Sequence, residues 1–576
     1  MKKLGSYFKG YRKKAVIAPL FKCLEACFEL LVPLVVAYMI DYGIGKEDIT
    51  CIGKMAGILI LLAVVGAICS LTAQYFAAKT AVHVGSSIRK ELFGRMMKLE
   101  YEDIDQVGTS TLMTRITSDV NQVQTGINMF LRLFMRSPFI VFGSVIMAFT
   151  VDAKAAMVFV VTVPVLAVIV FVIMLSTMPL YKNVQKQTDE VLSVTRENLK
   201  GIRVIRAFNR QESEKKKFAK ENHKLVSMQI FVGRISALLN PLTCVVVNVA
   251  VIILLFAGGK EVSTGRLTQG QVVALVNYML QILTELVKLA DLIILITKAS
   301  ACYLRVQDVL DISMKLEPEE VKESRQDFLV FEDVSFSYEE GAKESLKNIS
   351  FVIEEGETVG VIGGTGSGKT TLVNLIPRFY DVTKGKIFLN GQNVKSYKLK
   401  QLRNIIGVVP QKAALFRGTI KENLLWGKEN ASEEELREAL RVSQAEEFVK
   451  KDRNGLNKKI EQGGRNLSGG QKQRLAIARA LVRKPKILIL DDSSSALDYM
   501  TDARLREQLK EKTEGRTTFI VSQRVNSVQD ADRILVLDGG ELVGNGTHDE
   551  LLKNCEVYQE ICQSQLSGKE ETAFAG

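Results

Sequence analysis

Residues 363–370 are Gly363-Gly364-Thr365-Gly366-Ser367-Gly368-Lys369-Thr370, and they fit the pattern G-x-x-x-x-G-K-[ST] in full. Residues 357–362 before this run have the composition of a strand, and residues 370–379, which include Thr371, that of a helix. In a strand-loop-helix unit, backbone N–H groups and the helix N-terminus converge on phosphate oxygens. The stretch therefore predicts a nucleotide-binding loop in which Lys369 contacts the β- and γ-phosphates and Thr370 ligates Mg²⁺.

Further motifs surround this loop. An apolar strand at residues 487–491 ends in Asp491, which would support the metal. Tyr338 follows Phe336-Ser337, and Gln411 follows Val409-Pro410. About a hundred residues after the loop the chain reads Leu467-Ser468-Gly469-Gly470-Gln471. Tyr338 alone would be an ordinary strand aromatic and Gln411 an ordinary loop residue, so the order and spacing of the set carry the assignment.

The set of motifs resembles the ATP-binding cassette (ABC) family, and the match spans residues 328–566. The resemblance implies ATP and Mg²⁺ as cofactors, with Tyr338 stacked on adenine, Gln411 at the metal and the reacting phosphate, and residues 467–471 as the signature motif. In this family ATP is clamped between the Gly-rich loop of one domain and the signature of another. The resemblance therefore implies a dimer with two composite sites.

The first 310 residues differ in composition from the rest. Six apolar segments lie near residues 15–41, 54–77, 129–151, 155–178, 238–258 and 270–297. Each is long enough, at about 1.5 Å per residue, to cross a hydrocarbon core of about 30 Å. The joins after the first, third and fifth segments are short and carry few basic residues, whereas the others are long and basic. By the positive-inside rule the long joins, the N-terminus and the C-terminal half are cytoplasmic.

We therefore predict a six-helix transmembrane bundle of the ABC exporter type, fused to an α/β P-loop ATPase domain, in the cell (cytoplasmic) membrane. The formal net charge of +12 fits basic joins between spans and not a nucleic-acid surface. Residues 105–113 and 207–212 resemble the loop tips that touch the ATPase domains in this family. The predicted domains are a membrane domain with an N-terminal interfacial helix (1–310), a linker (311–327), a nucleotide-binding domain (328–566) and a tail (567–576).

Two residues depart from the family pattern at the reacting phosphate. Asp492 stands where the resemblance implies a Glu as general base, and Gln523 where it implies a His that contacts the γ-phosphate. Aspartate is one methylene shorter, which withdraws the carboxylate by about 1.5 Å, and general-base catalysis depends on hydrogen-bond reach. Gln523 can donate a hydrogen bond but brings no positive charge to the transition state. With Gln411, these are the candidate catalytic residues, and we expect strong ATP binding with slow hydrolysis.

An intact signature beside an altered catalytic site resembles one subunit of the bacterial heterodimeric multidrug ABC exporters. The resemblance implies a second ABC half as partner, whose active site residues 467–471 complete, and amphipathic small molecules as the transported substrate. A lipid flippase and a homodimeric exporter with slow ATPase carry the same motifs and remain alternatives.

Charged and polar residues recur at helical spacing in the first, third and sixth apolar segments. Such residues are costly in a membrane, so they face a cavity or pair with one another. One interpretation is a substrate cavity in the inner half of the membrane. The other is that Lys22 with Glu25, and Glu285 with Lys288, neutralise each other within a helix. The candidate cavity residues are Glu25, Glu29, Arg132, Arg136, Gln281, Glu285 and Lys288.

Overall fold

The computed structural model of this chain describes residues 4–312, 325–338, 341–493, 495–512 and 515–573, with side chains except at residues 512 and 566–573. The chain divides into two compact units. The first comprises Met1–Lys98 and Gly108–Ile312, and the second comprises Leu99–Val107 and Ser313–Gly576. Most of the predicted linker at 311–327, and the end of the predicted tail, lie outside the described residues.

The first unit is built from helices, as its long apolar segments predict. Up to residue 312 the α-helices are α1 (Arg12–Tyr38), α2 (Ile49–Met96), α3 (Tyr101–Val107), α4 (Thr109–Thr114), α5 (Val120–Leu133), α6 (Arg136–Val151), α7 (Ala153–Lys200), α8 (Ile202–Ala207), α9 (Gln211–Ala237), α10 (Leu239–Ser263) and α11 (Gln269–Leu310). Of these, α3 belongs to the second unit. A short 3₁₀ turn precedes α1 at Leu4–Phe8, and π-helical turns continue α1 over Met39–Ile44 and join α4 to α5 over Arg115–Asp119.

Five helical stretches among the described residues are long and apolar enough to cross a membrane. They are Arg12–Ile44, Ile49–Met96, Thr109–Val151, Ala153–Lys200 and Gln211–Ser263, and they contain the first five predicted segments. The sixth segment lies in α11, which has 42 residues and is therefore also long enough to span. Helix α11 packs against α1, α5, α6, α7 and α10, so it is an inner helix of the bundle.

The helices of this unit extend well beyond a bilayer core. Helices α2 and α7 have 48 residues each, which at 1.5 Å per residue is about 72 Å, more than twice the hydrocarbon thickness. The long basic joins of the sequence are therefore largely helical continuations of the spans. Asp48 caps α2 and Asp152 caps α7 by accepting hydrogen bonds from backbone N–H groups of the first turn.

The second unit combines three sheets with flanking helices. Its strands are β1 (Leu329–Phe336), β2 (Leu346–Ile353), β3 (Thr358–Gly363), β4 (Lys384–Leu389), β5 (Gln392–Asn393), β6 (Ile406–Val409), β7 (Gly418–Thr419), β8 (Lys459–Ile460), β9 (Ile487–Asp491), β10 (Thr517–Val521), β11 (Arg533–Asp538) and β12 (Glu541–Gly546). Its later helices are α12 (Lys369–Leu375), α13 (Leu399–Ile405), α14 (Ile420–Leu425), α15 (Glu433–Val442), α16 (Glu446–Lys450), α17 (Gly469–Val482), α18 (Tyr499–Lys512), α19 (His548–Asn554) and α20 (Glu556–Ala573).

The central sheet of this unit determines where functional residues meet. Its strand order is β12-β11-β3-β10-β9-β6, parallel except for the antiparallel edge strand β12. All five residues of β9 are buried, as the unbroken apolar run up to Asp491 predicts for a strand covered on both faces. Because β3, β9 and β10 run parallel, their carboxyl ends open at one edge of the sheet, where such folds bind ligands.

A four-stranded antiparallel sheet, in the order β2-β1-β4-β5, covers one side of this core. Phe331, Phe351 and Ile387 of that sheet share one apolar cluster with Val361, Ile489 and Phe519 of the central strands. A second cluster joins β9 to the helices around α17, through Leu488, Leu490 and Ile477. The signature segment and the strand that ends at Asp491 therefore rest on one continuous packing layer.

Candidate functional site

The Gly-rich loop connects β3 to α12 and has backbone angles that require glycine. Gly366 has a φ of +83° and Gly368 a φ of +98°, in the left-handed region that side chains rarely adopt. A Cβ atom on Gly368 would also lie 2.9 Å from the carbonyl oxygen of Ser345. The loop therefore turns tightly around the N-terminus of α12, whose free N–H groups attract anions.

Lys369 begins α12 and folds back over the loop. Its Nζ donates hydrogen bonds to the carbonyl oxygens of Gly363 at 2.9 Å and Gly364 at 2.6 Å, and lies 3.4 Å from Ser367 Oγ. The side chain is buried, and that burial lowers the pKa of Lys369. Its hydrogen-bond partners are neutral oxygens, and the carboxylates of Asp491 and Asp492 act on it from beyond hydrogen-bond distance, so the ammonium can still gain from a bound anion.

Thr370 and Asp491 place two oxygen atoms together at the base of the loop. Thr370 Oγ1 donates to Asp491 Oδ1 at 2.9 Å. Asp491 is buried, and burial raises the pKa of its carboxyl group. Hydroxyl and carboxylate oxygens are hard ligands of the kind Mg²⁺ prefers, so these two residues fit the metal that accompanies a nucleotide.

Asp492 and Gln411 meet at the same edge of the sheet. Gln411 Nε2 donates to Asp492 Oδ2 at 3.0 Å. Asp492 has a φ of +44°, and its N–H donates to the carbonyl oxygen of Val521 at the end of β10. Aspartate is among the non-glycine residues that adopt this conformation. Gln523 follows two residues after β10 and faces the same cavity.

These residues surround a cavity of about 550 Å³. It brings together nine of the predicted nucleotide and metal residues with both unusual ones, namely Tyr338, Thr365, Gly366, Gly368, Lys369, Thr370, Thr371, Gln411, Asp491, Asp492 and Gln523. It is also lined by residues that the sequence analysis missed: Lys343, Glu344, Ser345, Val521, Ser522, Gly539 and Gly540. Of these, only the turn at Gly539-Gly540 could have been predicted, because a Gly-Gly pair between two apolar runs indicates a β-hairpin, here the β11–β12 turn.

An aromatic group extends from this cavity to helix α3. The hydroxyl groups of Tyr338 and Thr371 are 2.9 Å apart, and the Tyr338 ring meets that of Tyr380 edge-on at 5.2 Å. Tyr380 donates its hydroxyl hydrogen to Asp105 Oδ2 of α3 at 2.8 Å. Burial and the Asp105 carboxylate raise the pKa of Tyr380. The sequence predicts Asp105 as part of a loop tip, whereas no pattern in it marks Tyr380.

The signature segment lies at the N-terminus of α17, and among the described residues it does not line this cavity. Ser468 Oγ accepts from the Gln471 N–H at 3.3 Å, and Gln471 Oε1 accepts from the Ser468 N–H at 3.1 Å. This capping box holds Gly469 and Gly470 at the first turn of the helix. Leu467 is buried beneath them. The segment is thus formed and lies outside the lining of its own chain's cavity.

In the first unit, charged side chains form a group centred on Arg136, in which Arg136 and Glu285 are buried. The two terminal nitrogens of Arg136 each lie 2.6 Å from a carboxylate, one from Glu29 of α1 and the other from Glu285 of α11. Glu285 also accepts from Ser137 Oγ at 2.8 Å and from Lys288 Nζ at 2.8 Å. We call Glu29, Arg136, Glu285 and Lys288 the charged quartet. Its two positive and two negative charges balance.

A cavity of about 360 Å³ lies beside the quartet. It is lined by Glu29, Val32, Pro33, Val36, Ile140, Asn277, Leu280, Gln281, Thr284, Glu285 and Lys288. Glu25 does not line it and pairs instead with Lys22 at 2.6 Å. Arg132 and Arg136 do not line it either, although Arg136 binds two carboxylates that do. Four of the seven predicted residues therefore reach one cavity, and the within-helix pairs of the alternative interpretation are also present.

Comparison with known proteins agrees with this architecture. Residues 15–286 match the family model described as the ABC transporter transmembrane region, and residues 346–495 match the model described as ABC transporter. The chain is 37% identical over 567 residues, or 98% of its length and 99% of the relative's, to the uncharacterised ABC transporter ATP-binding protein YfiB of Bacillus subtilis. It is 33% identical, over 98% of its length and 97% of the relative's, to the uncharacterised ABC transporter ATP-binding protein Rv1273c of Mycobacterium tuberculosis.

A solved structure shares the fold across both units. A bacterial Atm1-family ABC exporter with ATP bound superposes with a TM-score of 0.80, over 96% of this chain and 98% of that one, at 23% identity. The helical unit and the ATPase unit correspond to the two matched family models. The chain therefore belongs to the ABC transporter family, as an exporter half that spans the membrane several times and carries an ATPase domain for ATP with Mg²⁺.

Proposed function

We propose that this chain is one half of a heterodimeric ABC exporter, in which its own ATP site hydrolyses slowly and its signature completes the active site of the partner. One observation carries the proposal. Asp492 and Gln523 both line the nucleotide cavity, while residues 467–471 keep the family's signature sequence and a formed capping box. The alteration thus affects the groups that would act on the reacting phosphate and spares those that would bind nucleotide.

The roles of the site residues follow from their positions. Lys369 and the Gly-rich loop bind phosphates, and Thr370 with Asp491 holds Mg²⁺. Tyr338 and Thr371 line the same cavity and contact the nucleotide there. Asp492 accepts a hydrogen bond from Gln411 at 3.0 Å, so one oxygen of its shorter carboxylate is already bound to the Gln411 side chain. General-base catalysis requires a carboxylate within hydrogen-bond reach of the attacking water. We infer that ATP is retained and hydrolysed slowly at this site.

The same proposal includes the domain limits and the orientation in the membrane. The ATPase domain at 328–566 and the N-terminus are cytoplasmic, because the basic residues concentrate in the long joins and in the segment before the first span. A linker at 311–327 joins the ATPase domain to the membrane domain at 1–310, and residues 567–576 form the tail. This orientation places the nucleotide cavity in the compartment that supplies ATP.

The substrate class rests on the cavity beside the charged quartet. Its wall combines Val32, Val36 and Leu280 with Asn277 and Gln281, and the buried Gln281 Oε1 has no hydrogen-bond partner among the described residues. Balanced charge with apolar walls suits amphipathic small molecules, which gain from apolar contact and a few polar ones. A lipid flippase would use the same cavity chemistry, and transport assays with dyes and with labelled lipids separate the two functions.

The heterodimer is tested by an asymmetry between two substitutions. The chain is reconstituted into vesicles with an ABC half that carries Glu and His at the positions matching Asp492 and Gln523. Ser468→Ala in this chain is expected to lower ATP-dependent dye transport strongly, because it alters the partner's active site. Asp492→Asn is expected to leave most transport intact, because the site it alters is already slow.

A matched control separates catalysis from helix capping. Ser432 caps α15 through a capping box with Glu435, in the same way that Ser468 caps α17. Ser432→Ala costs the same cap, about 1 kcal/mol, without altering a nucleotide site. Equal losses from Ser432→Ala and Ser468→Ala, or a larger loss from Asp492→Asn than from Ser468→Ala, would contradict the proposed division of labour.

A further inference from the structure

The loop that carries Gln523 is held from behind by the C-terminal helix. Strand β10 ends at Val521, Gln523 is exposed on the cavity, and a 3₁₀ turn at Val525–Ser527 follows. Where the strand leads into this turn, the Gln565 side chain of α20 makes two hydrogen bonds. Its Nε2 donates to the carbonyl oxygen of Gln523 at 2.8 Å, and its Oε1 accepts from the N–H of Val525 at 2.9 Å.

A carboxamide is well suited to this arrangement, because it presents one donor and one acceptor side by side. The two backbone groups belong to residues on either side of Arg524, so one side chain fixes both ends of the bend. Arg524 is itself held by a hydrogen bond from its N–H to Ser522 Oγ at 3.0 Å. The backbone that presents Gln523 to the cavity is therefore fixed by contacts on the side away from the nucleotide.

Helix α20 is anchored firmly enough to act as a support. Tyr558 and Cys562 are buried in one apolar cluster with Val525, the first residue of the 3₁₀ turn, and with Val528, which follows the turn. The Tyr558 hydroxyl lies 2.7 Å from His548 Nδ1 of α19. Tyr558, Cys562 and Gln565 are spaced by four and three residues, so they lie on one face of the helix.

We propose that Gln565 is a positioning residue for the nucleotide site: its carboxamide holds the loop in the conformation from which Gln523 reaches the terminal phosphate. This inference rests on the proposed contact of Gln523 with that phosphate. It adds a role for the C-terminal helix, since any displacement of α20 releases the Gln523 loop. Gln565 is not among the residues that line the nucleotide cavity and acts through Gln523.

The test uses the full chain purified in detergent and two independent measurements. Amide hydrogen exchange of residues 521–527 reports the loop itself, without nucleotide. The ratio of affinities for ATPγS and ADP reports the contact with the terminal phosphate. Gln565→Ala is expected to raise exchange at Val525 by about tenfold and to lower the affinity ratio by a similar factor, from the loss of two hydrogen bonds.

Two further variants keep the test sharp. Gln565→Glu retains the acceptor for the Val525 N–H but places a carboxylate against the Gln523 carbonyl oxygen. Amide exchange of the loop is therefore expected to rise. The ratio of affinities for ATPγS and ADP is expected to fall by no more than it does in Gln565→Ala. Gln559→Ala is the matched control, because Gln559 on the same helix donates to the Leu552 carbonyl oxygen of α19 at 2.8 Å and does not touch the loop. It is expected to change neither measurement.

The outcomes separate the support from the nucleotide contact. Unchanged exchange at residues 521–527 in Gln565→Ala would overturn the positioning role. An affinity ratio that falls in Gln523→Ala but not in Gln565→Ala would also overturn it. Equal falls in Gln523→Ala, Gln565→Ala and the double variant support it. If exchange rises in Gln565→Ala while Gln523→Ala leaves the ratio unchanged, the support of the loop stands and the proposed phosphate contact of Gln523 fails.

Discussion

The nucleotide cavity and the charged quartet both bury charge, and they compensate it in different ways. In the cavity, Lys369 Nζ binds the neutral carbonyl oxygens of Gly363 and Gly364. In the quartet, Arg136 binds the carboxylates of Glu29 and Glu285 at 2.6 Å each. A buried charge with neutral partners is stabilised further by an ionic ligand, whereas a balanced group is already satisfied.

The difference assigns different duties to the two regions. We expect the charges of the cavity to bind phosphates and a metal. Their removal should therefore lower ligand affinity more than it lowers the stability of the fold. The charges of the quartet compensate one another, so removal of Arg136 should leave the buried Glu285 with one cation fewer and Glu29 with none. Substitutions in the two regions should therefore separate loss of ligand from loss of stability.

The largest effect on stability is expected from Arg136→Met. It leaves Glu29 without its cation and leaves Glu285 with Lys288 alone. Loss of one partner from a buried ion pair costs about 3–5 kcal/mol, and the partial exposure of Glu29 and the remaining Lys288 place this variant at the lower end of that range. Thermal unfolding in detergent, followed by the exposure of buried cysteines such as Cys69 and Cys302 to a thiol-reactive dye, measures the change.

The matched control is Arg266→Met, which removes the same side chain from an exposed ion pair with Glu261 at 3.5 Å. Exposed pairs contribute about 0–1 kcal/mol, so this variant should unfold almost as the parent does. Similar unfolding of the Arg136 and Arg266 variants would show that the quartet does not stabilise the fold. Its charges would then be assigned to substrate binding.

The second effect is on nucleotide affinity, in Lys369→Ala. Loss of charge-assisted hydrogen bonds to phosphate, each of about 1.5–3 kcal/mol, should weaken ATP binding about 100-fold or more. Unfolding without nucleotide should change little, because the partners of Lys369 are loop carbonyls. Lys347→Ala, at an exposed ion pair with Glu541, is the control in equilibrium binding with fluorescent ATP. Affinity within threefold of the parent would contradict the assignment of the cavity.

A smaller effect is expected from Tyr380→Phe, which removes the hydroxyl bond to Asp105 of α3 and keeps the ring against Tyr338. One hydrogen bond to a charged group is lost, about 1.5 kcal/mol. ATP affinity should stay constant while dye transported per ATP hydrolysed falls several-fold. Tyr397→Phe removes a hydroxyl bond to the Leu389 carbonyl oxygen in the same unit and serves as control. Equal transport in the two variants would exclude α3 as a coupling contact.

The smallest effect on stability is expected from Asp491→Asn without nucleotide. Burial raises the pKa of this carboxyl, so its ionised form opposes folding at any pH above the unfolded value near 3.9. The stability of the parent relative to the variant should fall as pH rises from the unfolded pKa to the folded one. At pH 7 without nucleotide, the variant should be as stable as the parent or slightly more stable. With ATP present, the variant should lose the part of the stabilisation that depends on Mg²⁺. Destabilisation by more than about 1 kcal/mol would contradict a ligand-binding duty.

The two regions also differ in how far the sequence predicts them. The contacts of Lys369 and Thr370 are set by a short strand-loop-helix unit, so residue spacing alone places them near phosphate. Lys288 and Glu285 are likewise three residues apart on one helix. Arg136 instead meets Glu29 and Glu285 across separations of 107 and 149 residues. Such contacts depend on how helices pack, and no local pattern in one sequence encodes that.

The same limit applies to the supports of the nucleotide cavity. Tyr380 and Asp105 are 275 residues apart, and Gln565 lies 42 residues after Gln523. Each is an ordinary polar residue on a helix or loop when viewed in its own segment. The unusual residues Asp492 and Gln523 could be recognised because the family motif assigns their positions, whereas the residues that hold them have no motif of their own.

We propose that this chain binds ATP well and hydrolyses it poorly because of Asp492 and Gln523. The most direct test measures ATP bound and ATP hydrolysed by the chain purified alone, at a concentration at which two copies can pair and each signature can complete the other copy's site. The double variant Asp492→Glu/Gln523→His and the variant Asp492→Asn are measured beside it. We predict near-stoichiometric binding in all three, slow hydrolysis by the parent that Asp492→Asn hardly changes, and hydrolysis about 100-fold faster in the double variant. Brisk hydrolysis by the parent that Asp492→Asn abolishes would contradict the claim and favour a homodimeric exporter.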